Sequence, residues 1–146
     1  MLSRALRRGG GAASSAPEAV LSKQSLISIV DDDHSFRDSM RRLLKSLGYI
    51  VAVFPSAGEF LASSKLAITA CLVADVHMPA ITGIELYKQL IETGHAIPTI
   101  LVTAYPDDRA QERMLKLGVE CYLSKPLEEA HLISCLRSVF ARGNAP

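Results

Sequence analysis

Residues 70–79 read ACLVADVHMP. Ala70 to Ala74 are apolar without a break, and an acid, Asp75, stands at the end of the run. A strand with one wet face alternates apolar and polar residues, so this stretch does not fit one. It fits a strand covered on both faces, as in a parallel sheet with helices on either side.

Four more short, largely apolar runs surround it, several of them apolar on consecutive positions. Leu26 to Val30, Ile50 to Phe54, Ile97 to Thr103 and Cys121 to Leu123 join Ala70 to Val76 as strand candidates. The segments between them have helical period. Phe36, Met40, Leu43, Leu44 and Leu47 form one apolar stripe, with Gly48 where a C-terminal cap belongs. Ser56-x-x-Glu59 and Thr82-x-x-Glu85 match capping boxes opening the next two helices, and Gly94 and Gly118 close the third and fourth. The last helix is expected from about Leu127 to Phe140, burying Leu132, Ile133, Leu136, Val139 and Phe140. Five such strand–helix units with right-handed crossovers predict an α/β fold: a doubly wound, five-stranded parallel sheet in the flavodoxin-like order 2-1-3-4-5.

Sheets of this type bind ligands at the carboxyl ends of the strands, where strand order reverses. Asp31, Asp32 and Asp33 follow the first strand, Asp75 ends the third, Thr103 and Ala104 end the fourth, and Lys125 and Pro126 follow the fifth. Clustered carboxylates repel unless a cation separates them. Magnesium suits such a site, because it takes oxygen ligands octahedrally at roughly 2.0 to 2.1 Å and keeps several waters. A carboxylate can attack a phosphoryl group, while a cation and an ammonium neutralise the transferring oxygens. Asp75, flanked by apolar strand residues and followed by a turn, suits the attacking role; Asp31 and Asp32 are better placed to carry metal.

Composition sets the frame. The 146 residues suffice for one domain, and 49% apolar with 21% charged is ordinary for a folded chain. A net charge of +1 makes no electrostatic case for nucleic acid or an anionic membrane. No apolar stretch approaches the roughly 18 to 20 residues of a membrane span. Arg4, Arg7, Arg8 and Lys23 against Glu18 leave the first 24 residues basic; with Gly9, Gly10 and Gly11 among them they are expected to be a flexible tail. The domain is then expected over 25–141, with a short tail at 142–146. Cys71, Cys121 and Cys135 contain no C-x-x-C pair, and their odd number argues for free thiols in a reducing compartment. His34, His95 and His131 have no ligand-spaced partner, so no zinc site is expected.

Val30-Asp31-Asp32-Asp33, Val73-Ala74-Asp75-Val76-His77-Met78-Pro79, Leu101-Val102-Thr103-Ala104 and Ser124-Lys125-Pro126 together resemble the response-regulator receiver family of two-component signalling. The resemblance covers about residues 25 to 140, four motifs in the right order on the right elements. It implies phosphorylation of Asp75. It also implies magnesium, or manganese, held by Asp32, Asp75 and the backbone carbonyl of His77, with Asp31 acting through water. Lys125 would pair with the phosphate oxygens, its bond to Pro126 would be cis, and Thr103 and Ala104 would meet the phosphate as Tyr122 turns inward. The implied partner is a sensor histidine kinase or phosphotransfer protein, and the implied location is the cytoplasm. The face of the fourth helix, fifth strand and fifth helix would serve output, including a phosphorylation-dependent homodimer, with no direct contact to nucleic acid or membrane. Such a domain is no enzyme beyond its own phosphorylation and dephosphorylation.

Phe54-Pro55-Ser56-Ala57 with Glu59-Phe60-Leu61, and the wording around Asp75, look most like the FixJ-type subgroup, whose members usually continue into a helix-turn-helix domain. Two positions depart from the commonest pattern: His77 and Tyr105 are bulky groups at the pocket mouth, placed to hinder hydrolysis of an aspartyl phosphate. Two other readings compete. A haloacid-dehalogenase-type phosphohydrolase would use Asp31-x-Asp33, although Pro106 separates Asp107 and Asp108 from the preceding strand. A docking module that has lost phosphorylation would have no chemical reason to keep Asp31, Asp32, Asp75, Thr103 and Lys125 together.

Overall fold

A computed structural model describes residues 25–143. The expected basic tail at 1–24 and the final residues 144–146 lie outside the described residues. Strands β1 (Leu26–Val30), β2 (Ile50–Phe54), β3 (Thr69–Asp75), β4 (Thr99–Thr103) and β5 (Cys121–Ser124) alternate with helices α1 (His34–Ser46), α2 (Ala57–Leu61), α3 (Gly83–Glu92), α4 (Asp108–Leu117) and α5 (Glu129–Gly143). A 3-10 turn, Ser64–Ile68, follows α2. The strands form one sheet in the order β2-β1-β3-β4-β5, with every neighbouring pair parallel.

The sheet divides the core in two. One face packs β-residues Val30, Leu72, Ala74, Leu101 and Tyr122 against α2, α3 and α4 through Phe60, Leu86, Leu90 and Met114. The other packs Ile27, Ile29, Val73, Ile100 and Val102 against α1 and α5 through Met40, Leu44, Leu132 and Leu136. Both faces of β1, β3 and β4 are therefore dry, which is why their sequences lack alternation.

Three local expectations need correction. β4 starts at Thr99 rather than Ile97; Pro98 has no N–H for a ladder, although its carbonyl accepts from the Leu72 N–H at 2.9 Å. The buried stripe of α5 runs through Leu132, Cys135, Leu136 and Val139, the i, i+3, i+4, i+7 set, and leaves Ile133 only partly covered. That helix runs Glu129–Gly143 rather than from Leu127 to Phe140.

The largest correction concerns the cysteines: Cys121 and Cys135 form a disulfide, with Cα atoms 6.4 Å apart. Their spacing of 14 residues carries no local signature, because the return from β5 through the following turn to the second turn of α5 is what brings them together. Among the described residues Cys71 is the free cysteine, buried in β3 with its thiol pushed up to about 12 by burial. No helix among the described residues is long and apolar enough to cross a membrane.

Candidate functional site

The carboxyl ends of β1, β3, β4 and β5 meet at one rim, with Asp75 in register beside Val102 and Thr103 beside Ser124. Asp31, Asp32 and Asp75 converge there, each offering a carboxylate oxygen within 4.8 Å of the others. Asp31 is fully buried and Asp75 nearly so, while Asp32 faces solvent.

The adjacent helix start explains the division of labour among the three consecutive acids. Asp33 is the N-cap of α1, its carboxylate accepting the Ser35 N–H at 3.0 Å. Its own N–H donates to Asp31 Oδ1 at 2.8 Å, turning the Asp31 carboxylate inward. Arg37 Nη1 donates to the Asp31 carbonyl at 2.7 Å and holds this turn from the helix side. Asp107 likewise caps α4, accepting from the N–H groups of Arg109 and Ala110 at 3.0 and 3.4 Å. Asp33, the second acid of the hydrolase reading, and Asp107 are thus both committed to helix ends.

Lys125 reaches the pocket from the loop after β5, which is anchored by the Lys125 N–H to the Thr103 carbonyl at 2.8 Å. The Lys125–Pro126 peptide is cis. Its Nζ lies 2.8 Å from Asp31 Oδ2 and 3.7 Å from Asp75 Oδ2, and 4.2 Å from the centroid of the Phe36 ring. The cation is thus hemmed by two carboxylates and an aromatic face. Burial works against the Lys125 charge, but the hydrogen bond and charge of Asp31 outweigh it and hold the ammonium above its ordinary range. For Asp75 the balance goes the other way: burial, then the Asp31 charge, raise its carboxyl above the usual value despite Lys125 and the His77 N–H. A crowded carboxylate of this kind, with two others in reach and room on the Asp32 side, is a fitting host for a hard divalent cation.

Around this centre, the His77 N–H points to Asp75 Oδ1 at 3.3 Å, and the Thr103 hydroxyl accepts the Tyr105 N–H at 2.9 Å. Ala104 is exposed beside it. The His77 and Tyr105 rings meet edge to face, centroids 5.3 Å apart. Tyr122 points to the other side of β5 and is buried with Leu101, Ala110, Met114 and Val119. Beside Lys125 a cleft of about 330 Å³ opens, lined by Phe36, Met40, Leu43, Pro126 and Leu127.

Sequence reasoning missed Phe36, Arg37 and Gly83 as parts of this site. Phe36 and Arg37 were legible only as helix positions, since their contacts run to a lysine and a carbonyl outside the helix pattern. Gly83 did carry a signal: a helix opened by the Thr82–Glu85 capping box has no need of glycine at its first position. A Cβ there would overlap the Asp75 carbonyl oxygen and sit 3.0 Å from its carbon and 3.2 Å from Val76 Cα. The Gly83 N–H also donates to the Val76 carbonyl at 3.0 Å, which clamps the start of α3 to the end of β3. At an ordinary interior helix position Gly→Ala gains about 1 kcal/mol. Here backbone must move, and Gly83→Ala is expected to destabilise by about 2 kcal/mol, on the scale of core overpacking. Urea denaturation checks the sign; a more stable variant would show that the close approach is relaxed at no cost.

The pattern of the response regulator receiver domain family matches residues 27–137. The chain belongs to this family. It is 32% identical over 129 residues to the response regulator protein TodT of Pseudomonas putida, covering 85% of this chain and 57% of TodT. Over 116 residues it is 34% identical to the transcriptional regulatory protein FixJ of Azorhizobium caulinodans, covering 80% of this chain and 55% of that one. The chain therefore spans a little over half the length of these relatives. Among solved structures it resembles the response regulator StyR, with a TM-score of 0.75 and 35% identity over 82% of this chain and 60% of that chain. It also resembles FixJ-N, with a TM-score of 0.74 and 28% identity over 84% of this chain and 98% of that one. The fold and the FixJ-type likeness expected from the sequence are both borne out.

Proposed function

We propose that this receiver domain is a phosphorylation switch in which Asp75 accepts the phosphoryl group of a sensor histidine kinase or phosphotransfer protein in the cytoplasm. The observation that carries the proposal is the convergence of Asp31, Asp32 and Asp75 within 4.8 Å with the Lys125 ammonium beside them. A carboxylate oxygen of Asp75 attacks phosphorus, the bond to the donor nitrogen breaks, and the leaving group takes the electron pair. Asp32, Asp75 and the His77 carbonyl would hold Mg²⁺ or Mn²⁺, with Asp31 acting through water; such an ion, when bound, neutralises charge on the phosphoryl oxygens. Lys125 turns from Asp31 to the phosphate. Thr103 and the neighbouring Ala104 backbone receive another phosphate oxygen, and the inward position of Tyr122 is tied to that movement. The readout is the face of α4, β5 and α5, suited to a phosphorylation-dependent homodimer rather than to nucleic acid or membrane. The chemistry is confined to the domain's own phosphorylation and dephosphorylation.

The test is incubation with magnesium and acetyl phosphate, followed by mapping of acid-labile phosphate by mass. Label on Asp75 supports the switch. Turnover that depends on Asp31 and survives loss of Asp75 supports a phosphohydrolase, and no label at all supports a docking module.

His77 and Tyr105 shape the lifetime of the label. Their rings meet edge to face, on residues whose backbone N–H groups bond Asp75 and Thr103, beside the path by which water reaches Asp75 in line. His77→Gly and Tyr105→Ala are each expected to speed phosphate loss about threefold, under 1 kcal/mol of barrier. The measurement is decay of acid-labile phosphate after the donor is removed. Slower loss in His77→Gly would instead make His77 the group that orients the water.

A further inference from the structure

We propose that Cys121 and Cys135 are a reversible redox site, closed by exchange with a low-molecular-weight disulfide, and that the closed form sets Lys125 for phosphoryl transfer. The second half rests on the reading of Asp75 and Lys125 given above; the first half does not.

The placement of the pair is specific. Cys121 opens β5, the edge strand of the sheet, and is only half-buried, so a small thiol or disulfide can reach its sulfur. Cys135 lies on the buried stripe of α5, 8% exposed, where it faces β5. The Cα separation of 6.4 Å means that the bond joins two elements already packed side by side. The remaining thiol, Cys71, is sealed within the central strand β3, so exchange leads to one product. A disulfide in the proposed cytoplasm is exposed to reduction by the thiol pool, which makes an open dithiol form part of its working range.

The exchange balances as follows. One cysteine thiolate attacks a sulfur of the small disulfide, forming a mixed disulfide and releasing one small thiol. The second cysteine thiolate then attacks the protein sulfur of that mixed disulfide, the Cys121–Cys135 bond forms, and the second small thiol leaves. The protein loses two electrons and two protons, and the small disulfide is reduced to two thiols.

What the bond encloses gives it a consequence. The 14-residue span from Cys121 to Cys135 contains Tyr122, Lys125 and Pro126. On the sheet side this segment is held by Cys121 in register with Ile100 and by the Lys125 N–H on the Thr103 carbonyl. On the helix side, packing of Leu132 and Leu136 holds it. A covalent tie between the two sides fixes the distance that the lysine turn must bridge, and so limits the positions open to the Lys125 ammonium beside Asp31 and Asp75. Freedom removed beforehand need not be removed during phosphoryl transfer. Tyr122 and the disulfide lie on opposite faces of the same strand, so the bond acts on the lysine turn without occupying the space into which Tyr122 packs.

The experiment uses the full chain at a series of reduced-to-oxidised glutathione ratios, with acid quenching, alkylation and mass mapping. Cys121 and Cys135 are expected to be linked at the oxidising end and alkylated at the reducing end, with Cys71 outside the linkage throughout. A pair that stays open under oxidising glutathione, or linked under reducing glutathione, overturns the redox site. Labelling of Asp75 by acetyl phosphate with magnesium is then timed in both forms. The oxidised protein is expected to label about threefold faster or more, and Cys135→Ser to label at the reduced rate in both buffers. Equal rates, or a slower oxidised form, overturn the link to Lys125. Absence of label in both forms overturns the phosphoacceptor reading and that link with it, while the mass map still decides the redox site.

Discussion

Asp75→Asn is expected to abolish acid-labile phosphate and, in the presence of a chelator, to make the protein more stable. The first effect follows from the proposed chemistry, because an amide has no carboxylate oxygen with which to form an acyl phosphate. The second follows from the raised carboxyl of Asp75, due first to burial and then to the Asp31 charge. Between the ordinary value of 3.8 and the higher folded value, the folded protein binds more protons than the unfolded one. Stability therefore falls as pH rises through that window, and the penalty is complete above it, at neutral pH. Asn removes the penalty together with this part of the pH dependence. Thermal or urea unfolding of both proteins in chelator, at neutral pH and near pH 4, measures it. A variant less stable than wild type at neutral pH would show that Lys125 and the His77 N–H more than balance the crowding.

Lys125→Ala is expected to slow labelling of Asp75 by roughly 10²- to 10³-fold, the scale for loss of one preorganised group facing developing charge. It also strands a carboxylate. Asp31 is fully buried, and its Oδ2 accepts the hydrogen bond of Lys125 Nζ at 2.8 Å. Breaking a buried pair by removing one member costs about 3–5 kcal/mol, and the partial exposure of Lys125 puts this case near 3 kcal/mol. The sign is consistent with the raised Lys125 value: its contribution is complete below the unfolded value of 10.5 and is lost as pH rises through the higher folded one. At pH 7 the whole contribution is at stake. Magnesium should restore part of the lost stability to Lys125→Ala, since a cation among Asp31, Asp32 and Asp75 takes over the neutralising role. Unchanged stability in chelator would mean that water reaches Asp31 when the lysine is gone.

The two substitutions are expected to move stability in opposite directions although their side chains lie 3.7 Å apart. Opposite signs at such short range are what a site crowded with negative charge would give. Three carboxylates and one ammonium leave an excess of negative charge around Asp75, tolerable because Lys125 and the Asp33 N–H relieve Asp31. A divalent cation fits that excess, as the clustered acids in the sequence already implied.

Much of this could be read along the chain. Unbroken apolar runs such as Cys71 to Ala74 and Ile100 to Val102 identified buried parallel strands, because the period of a side-chain pattern reports on which faces are dry. The Thr82–Glu85 box and the glycines after α1, α3 and α4 marked helix ends, because caps answer to backbone groups one turn away. The acids, the threonine and the lysine could be assigned to one rim from strand order alone. All of these rest on interactions within a few residues, or on topology that chirality restricts.

What tertiary structure alone decided lies across longer separations. Asp31 and Asp32 stood apart as metal carriers in the sequence, but the use of Asp33 as the N-cap of α1 emerged only from the structure. The contact of Lys125 with Asp31 joins residues 94 apart, and the Phe36 ring enters it from the face of a helix whose pattern announces only packing. The disulfide ran against the expectation from spacing and odd number, because cysteine count says nothing about which strand and helix will lie side by side. Local patterns are set by the hydrogen bonds and exposure of neighbouring residues, and are therefore written in the chain. Pairings such as Lys125 with Asp31 and Cys121 with Cys135 depend on the turn after β5 and on how α5 packs back on the sheet, and exist only once the core has formed.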